Sequence, residues 1–138
     1  MIDSCNDTTQ NKIVSVSENR RTFRVNNKSL FTINSVTVDD CYITAGLKCD
    51  FLFEVIDEDI KEVFYVELKG SDISHAIQQL EATVKHCFSI HKTVPRKCYI
   101  VASRVPKALT STQKIKKEFK RKNNLMLYID TKIKEVTV

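Results

Sequence analysis

Residues 48–69 read Lys-Cys-Asp-Phe-Leu-Phe-Glu-Val-Ile-Asp-Glu-Asp-Ile-Lys-Glu-Val-Phe-Tyr-Val-Glu-Leu-Lys. Two runs rich in aromatic and β-branched residues, 48–56 and 62–69, flank the acidic punctuation Asp57-Glu58-Asp59, which predicts a β-hairpin. The loop holds no Gly, so a connection of four residues or longer is expected. Centring the turn between Glu58 and Asp59 sets Asp50 directly opposite Glu67. Opposed residues share a face with Cβ atoms about 5 Å apart, and Lys69 lies on that face two residues further along. Two carboxylates so close repel unless a cation lies between them. With the Leu68 carbonyl and water they form a hard, all-oxygen site of the kind Mg²⁺ or Mn²⁺ accepts. The plainer reading is a surface hairpin whose Glu67 pairs with Lys69, worth less than about 1 kcal/mol if exposed.

Outward from the hairpin, Gly70-Ser71-Asp72 ends the strand and caps a helix. Ile73, Ile77, Leu80, Val84 and Cys87 then recur at helical spacing up to about His91. Residues 97–103 form a nearly unbroken apolar run, as a central strand covered on both faces requires, so the helix before it is a crossover. Thr110-x-x-Gln113 is a capping box opening a second helix to about Asn123, whose thin apolar side is Ile115 and Phe119. Closing strands are expected at 125–130 and 133–138. Upstream, 12–17, 22–25 and 35–39 read as short extended segments, punctuated by Asn26-Asn27 and Asp39-Asp40. The expected class is α/β, bordering on α+β: a central mixed sheet with a β-hairpin, a crossover helix and a second, basic helix packed on it. One domain spans 1–138, with extended segments in 1–40, the core motif in 41–104, and the basic helix and closing strands in 105–138.

Composition agrees with a single globular domain: 138 residues, 42% hydrophobic and 28% charged, with two Gly and two Pro. No apolar run approaches the roughly 18 residues of a membrane helix. Residues 1–12 are polar and carry Asp3 and Asp7, unlike the basic-then-apolar plan of a secretory signal, so a cytoplasmic location is expected. The five cysteines are an odd number without a C-x-x-C pair, and reduced structural thiols follow. A zinc site from Cys41 and Cys49 with His86 or His91 fits no ligand spacing. Charge is divided unevenly. Residues 1–91 carry 9 Lys/Arg against 14 Asp/Glu, whereas residues 92–138 carry 13 against 3. A basic half favours a polyanion, because each cation beside a phosphate releases counterions. Lys114, Lys116, Lys117, Lys120, Arg121 and Lys122 crowd nine positions, with only Glu118 to offset them. Arg96, Lys97, Arg104 and Lys107 flank the neighbouring strand. Lys114, Lys117, Lys120 and Arg121 are the candidate nucleic-acid contacts. No recognition-helix or zinc-finger pattern accompanies them, so they would position DNA without reading bases.

Asp50, sixteen intervening residues and Glu67-Leu68-Lys69, followed by a helix and a strand, resemble the PD-(D/E)XK nuclease superfamily, the restriction-endonuclease-like fold. The resemblance covers residues 41–104. Cys49 stands where the family usually has a proline. The family usually opens its core with a helix bearing a further glutamate; residues 1–40 read as extended instead, with Glu18 the candidate acid there. The resemblance implies that Asp50 and Glu67 hold Mg²⁺ and that Lys69 orients or helps deprotonate the attacking water. Gln79 resembles a glutamine of exonuclease-like branches, with Thr83 in place of their aromatic residue. His75 is a candidate proton shuttle whose bland reading is a surface histidine. The expected function is metal-dependent hydrolysis of phosphodiester bonds in DNA. The alternatives are a catalytically inactive, nuclease-like nucleic-acid-binding or assembly subunit, and a protein-interaction module. A homodimer fits duplex cleavage, which needs one site per strand.

Overall fold

A computed structural model describes residues 1–69, 71–104 and 109–138. Gly70, Lys107 and the Thr110 side chain lie outside the described residues; the second long helix begins at Leu109, so Thr110 falls within its first turn and does not open it as the cap. The elements run β1 (Asn6–Thr9), β2 (Ile13–Glu18), β3 (Arg21–Asn26), β4 (Thr32–Thr37), β5 (Phe51–Asp57), β6 (Asp59–Lys69), α1 (Ile73–His86), α2 (Phe88–His91), β7 (Arg96–Ala102), α3 (Leu109–Asn123), β8 (Met126–Thr131) and β9 (Ile133–Thr137). The fold is mixed α/β. A six-stranded sheet has the order β1-β4-β5-β6-β7-β8, and a three-stranded sheet has the order β2-β3-β9. The large sheet is antiparallel from β1 to β6 and parallel from β6 to β8. Its parallel half follows from chain economy: α1 and α3 return the chain to the same end of the sheet, which a parallel neighbour requires.

Two cores sandwich the large sheet. On one face, Leu52, Val63, Tyr65, Cys98 and Ile100 meet Ile73, Ala76 and Leu80 of α1 and Phe119 of α3. On the other, Phe53, Phe64, Val66, Leu68, Tyr99 and Val101 meet Phe23 and Val25 of β3. β6 and β7 are therefore buried on both sides, and the reading of 97–103 as a central strand holds. Asp72 caps α1, its Oδ1 accepting the His75 N–H at 3.0 Å.

Four further expectations need correction. The β5–β6 turn is tighter than four residues: Asp57 pairs with Asp59, and Glu58 takes φ +67° in the left-handed region that Gly usually supplies. The first helix ends at His86, because Cys87 leaves helical geometry at φ −92° and ψ 5°; the single turn α2 then carries His91 inward. The N-terminal region holds an additional strand, β1, too polar for an apolar pattern to reveal. Finally, Cys5 and Cys41 form a disulfide, leaving Cys49, Cys87 and Cys98 as buried thiols. The two are 36 residues apart and meet only because β1 pairs with β4. Among the described residues no helix is long and apolar enough to cross a membrane.

Candidate functional site

The site lies where β5 begins and β6 ends. Facing pairs run Phe51 with Val66, Leu52 with Tyr65 and Phe53 with Phe64, so the next position out sets Asp50 against Glu67. The backbone carbonyl of Asp50 turns away from β6, accepting N–H bonds from Val38 (2.9 Å) and Asp39 (3.3 Å). Cys49 has left the ladder as well, its N–H donating to Thr83 Oγ1 at 2.8 Å. Leu68 thus loses its backbone partner, and the Asp50 carboxylate takes over: Leu68 N–H donates to Oδ2 at 2.8 Å. In an antiparallel ladder the N–H and C=O of a residue face the same neighbour, so the Leu68 carbonyl is turned toward Asp50 too.

Glu67 shares the α1 side of the sheet with Val63 and Tyr65. It is only 2% exposed, and its Oε1 has no hydrogen-bond partner among the described residues. Burial above all, and then the Asp50 charge, push its carboxyl up to about 8; Lys69 opposes the shift. Burial also lifts Asp50 to about 6, against the Leu68 N–H and Lys69, while the charges of Glu18 and Asp39 add to the rise. Lys69 is half-buried, pairs in register with Ala102 of β7, and makes no ion pair among the described residues. The structure therefore brings together Asp50, Glu67 and Lys69. Burial drives both carboxyls toward the neutral form, helped at Glu67 by the Asp50 charge and at Asp50 by Glu18 and Asp39, and a divalent cation between them would keep both ionised. The unpartnered Glu67 oxygen fits that donor role. No group of three or more His, Cys, Asp or Glu suited to a metal occurs among the described residues. Asp50 and Glu67 are thus the carboxylates that meet here among the described residues, with the Leu68 carbonyl turned to the same side.

Gln79 reaches the edge of this site, not the carboxylates. Its Nε2 donates to the Lys48 carbonyl at 3.2 Å, while Oε1 is buried without a partner among the described residues. Thr83 Oγ1 accepts from Cys49 and donates to the Gln79 carbonyl, so Gln79 and Thr83 fasten α1 to the segment that delivers Asp50. His75 contributes its backbone N–H to the helix cap. Glu18, at the tip of the β2–β3 hairpin, is exposed, and its charge is felt at Asp50.

The cations of α3 are placed apart from the carboxylates. Phe119 anchors the helix in the core, and Lys114, Lys117 and Lys120 are exposed. Arg121 is tied to Glu118 at 3.2 Å and Lys122 to Glu81 at 3.1 Å. Lys116, Lys117 and Lys120 line a groove with Met126, Leu127 and Tyr128.

Two buried polar arrangements escaped sequence reasoning. Glu54 is fully buried: Oε2 meets His91 Nε2 at 2.6 Å, and Oε1 accepts from Ile2 N–H (2.9 Å) and Asn34 Nδ2 (2.7 Å). His91 Nδ1 lies 2.7 Å from the Tyr65 hydroxyl. These bonds outweigh burial and hold Glu54 below its ordinary value. The available signal was a lone carboxylate inside the apolar run 51–56, on the same strand face as Asp50. The second is Arg21, buried at the start of β3. No family model, curated protein or solved structure matches the chain.

Proposed function

We propose that this chain is a metal-dependent nuclease of the PD-(D/E)XK type that hydrolyses phosphodiester bonds in DNA. The observation that carries the reading is the buried Glu67, with an unpartnered oxygen, two residues from Lys69 on one strand face and one position beyond the last facing pair of the hairpin, where the Asp50 carboxylate accepts the Leu68 N–H. Its topological support is the order hairpin, helix, parallel strand, with the acids at the end of the hairpin where α1 departs.

In this reading Asp50, Glu67 and the Leu68 carbonyl hold Mg²⁺ or Mn²⁺. Such an ion polarises a phosphoryl oxygen, acidifies water and offsets charge that builds in the transition state. The Lys69 ammonium orients the attacking water and stabilises the developing oxyanion. Gln79 and Thr83 hold the backbone that carries Asp50, and the exposed lysines of α3 bind flanking phosphates without reading sequence.

The test is cleavage of plasmid and linear DNA in Mg²⁺ or Mn²⁺, with chelator as control. Activity should vanish with chelator and in Glu67→Gln and Lys69→Ala while the fold persists. Cleavage that survives in both variants rejects the assignment. The small donor set favours a second reading, an inactive nucleic-acid-binding or assembly subunit, because only two acids converge among the described residues. That reading expects salt-dependent DNA binding unchanged by Asp50→Asn, and no cleavage with any metal.

A further inference from the structure

Residues 18–21 form a two-residue hairpin connection in which Glu18 pairs with Arg21. Asn19 and Arg20 take φ +49° and +66°, the left-handed pair of a type I′ turn. The second of those positions usually holds Gly; here an arginine occupies it at some backbone cost. Arg21 follows, on the β3 face that carries Phe23 and Val25 toward the large sheet. Its side chain reaches the end of β7, where Nη1 donates to Ser103 Oγ at 2.9 Å. Arg21 is 9% exposed, Nε has no partner among the described residues, and none of the ion pairs among them includes it. Glu18 stands opposite in the ladder without pairing to it; its charge bears on Asp50 instead.

A guanidinium buried without an ion pair is costly, and the facing Glu18 is exposed and unpaired to it, so this one calls for an anion. Its neighbours agree. Thr22 N–H donates to the Lys132 carbonyl, and Lys132 N–H donates to the Ala102 carbonyl, both at 2.9 Å. These bonds draw together three chain segments bearing Arg20 and Arg21, Ser103 and Arg104, and Lys132. Arg20, Arg104 and Lys132 are exposed. Four cations and a hydroxyl therefore gather at the ends of β3, β7 and β8. They lie toward the β3 side of the sheet, whose opposite face carries Glu67 and Lys69.

We propose that Arg21 and Ser103, with Arg20, Arg104 and Lys132 around them, form a phosphate-binding site. The planar guanidinium fork suits paired phosphate oxygens, and the Ser103 hydroxyl holds it in place. The location deepens the nuclease reading and rests on it in one respect: the phosphate is that of a DNA strand already engaged at the carboxylate pair. It is either a backbone diester or a terminal monoester.

The test is made on the full chain in chelator, so that no cleavage intervenes. Inorganic phosphate should raise the thermal midpoint above that in chloride of equal ionic strength. Arg21→Lys, which keeps the charge and loses the fork, should weaken phosphate binding about tenfold. Arg20→Gln, at an exposed position, should weaken it too and guards against a folding defect in the first variant. Single-stranded oligodeoxynucleotides with and without a 5′-phosphate distinguish the sources. Tighter binding of the phosphorylated strand, lost in Arg21→Lys, identifies a terminal monoester. Equal binding of the two, weakened together by Arg21→Lys, identifies the backbone diester. A thermal midpoint indifferent to phosphate, with oligonucleotide affinity unchanged in Arg21→Lys and Arg20→Gln, overturns the site. Phosphate binding without Mg²⁺-dependent cleavage would instead count against the nuclease reading alone.

Discussion

In the absence of metal, Glu67 makes this protein less stable as pH rises. Its carboxyl moves from an ordinary 4.5 to about 8 in the fold, chiefly through burial and then through the Asp50 charge. Below about pH 4.5 the group is protonated in both the folded and unfolded chain and contributes no slope. Between 4.5 and 8 the unfolded chain releases the proton while the fold retains it, so each step in pH favours unfolding; above 8 the loss is complete. At about 1.4 kcal/mol per pH unit, the total is on the order of 5 kcal/mol. Asp50, raised from 3.8 to about 6, adds to the decline at the acidic end of this window. The assay is urea denaturation in chelator from pH 5 to pH 9, for the wild type and Glu67→Gln. The wild type should lose several kcal/mol over that range. Glu67→Gln should be nearly flat above pH 6 and the more stable protein at pH 9, with a thermal midpoint higher by roughly 10 °C. Mg²⁺ added at pH 9 should stabilise the wild type and leave the variant unmoved. Equal slopes in the two proteins, or a variant weaker than wild type at pH 9, would refute the reasoning that Glu67 is a buried acid held beside another.

Glu54 behaves in the opposite sense. Held below its ordinary value by its hydrogen bonds, it contributes stability that is present above about pH 4.5 and lost on acidification, and Glu54→Ala or His91→Ala should each cost about 3–5 kcal/mol in denaturant titrations. Replacing Cys5 and Cys41 together by Ser should lower stability by about 2–4 kcal/mol, with reduced wild type matching the double variant. Lys117→Glu combined with Lys120→Glu should reduce the slope of log affinity for duplex DNA against log salt by about 2, equally for unrelated sequences; an unchanged slope would remove these lysines from the interface.

Much of the fold was legible because its signals are local. Aromatic and β-branched runs marked β5 and β6, a nearly unbroken apolar run marked β7, and apolar spacing marked α1. Asp72 declared its cap. The same local logic placed Asp50, Glu67 and Lys69 on one face. Glu54, His91 and Tyr65 were not legible, because they lie on separate elements and become partners only when α2 folds under the sheet. The Cys5–Cys41 bond was hidden likewise, since no spacing rule anticipates that a polar first strand would lie beside β4. Gln79 was half legible: the family resemblance singled it out, but only packing decided that its amide would bind the Lys48 carbonyl.

The register at the site is the sharpest division. Strand patterning by itself determined that 48–69 is a hairpin, and a turn centred between Glu58 and Asp59 set Asp50 against Glu67. The folded turn is tighter, centred on Glu58, and on its own would slide Asp50 opposite Val66. A register shift between Val55 and Ile56 supplies one extra residue in β6 and restores the pairing. Residue types and their order thus determined which side chains could form an acidic pair with an adjacent lysine. Whether they share a face depended on one bulge, because a single-residue slip turns every side chain of a strand to the opposite face, and packing on both sides of β6 selects between the two registers.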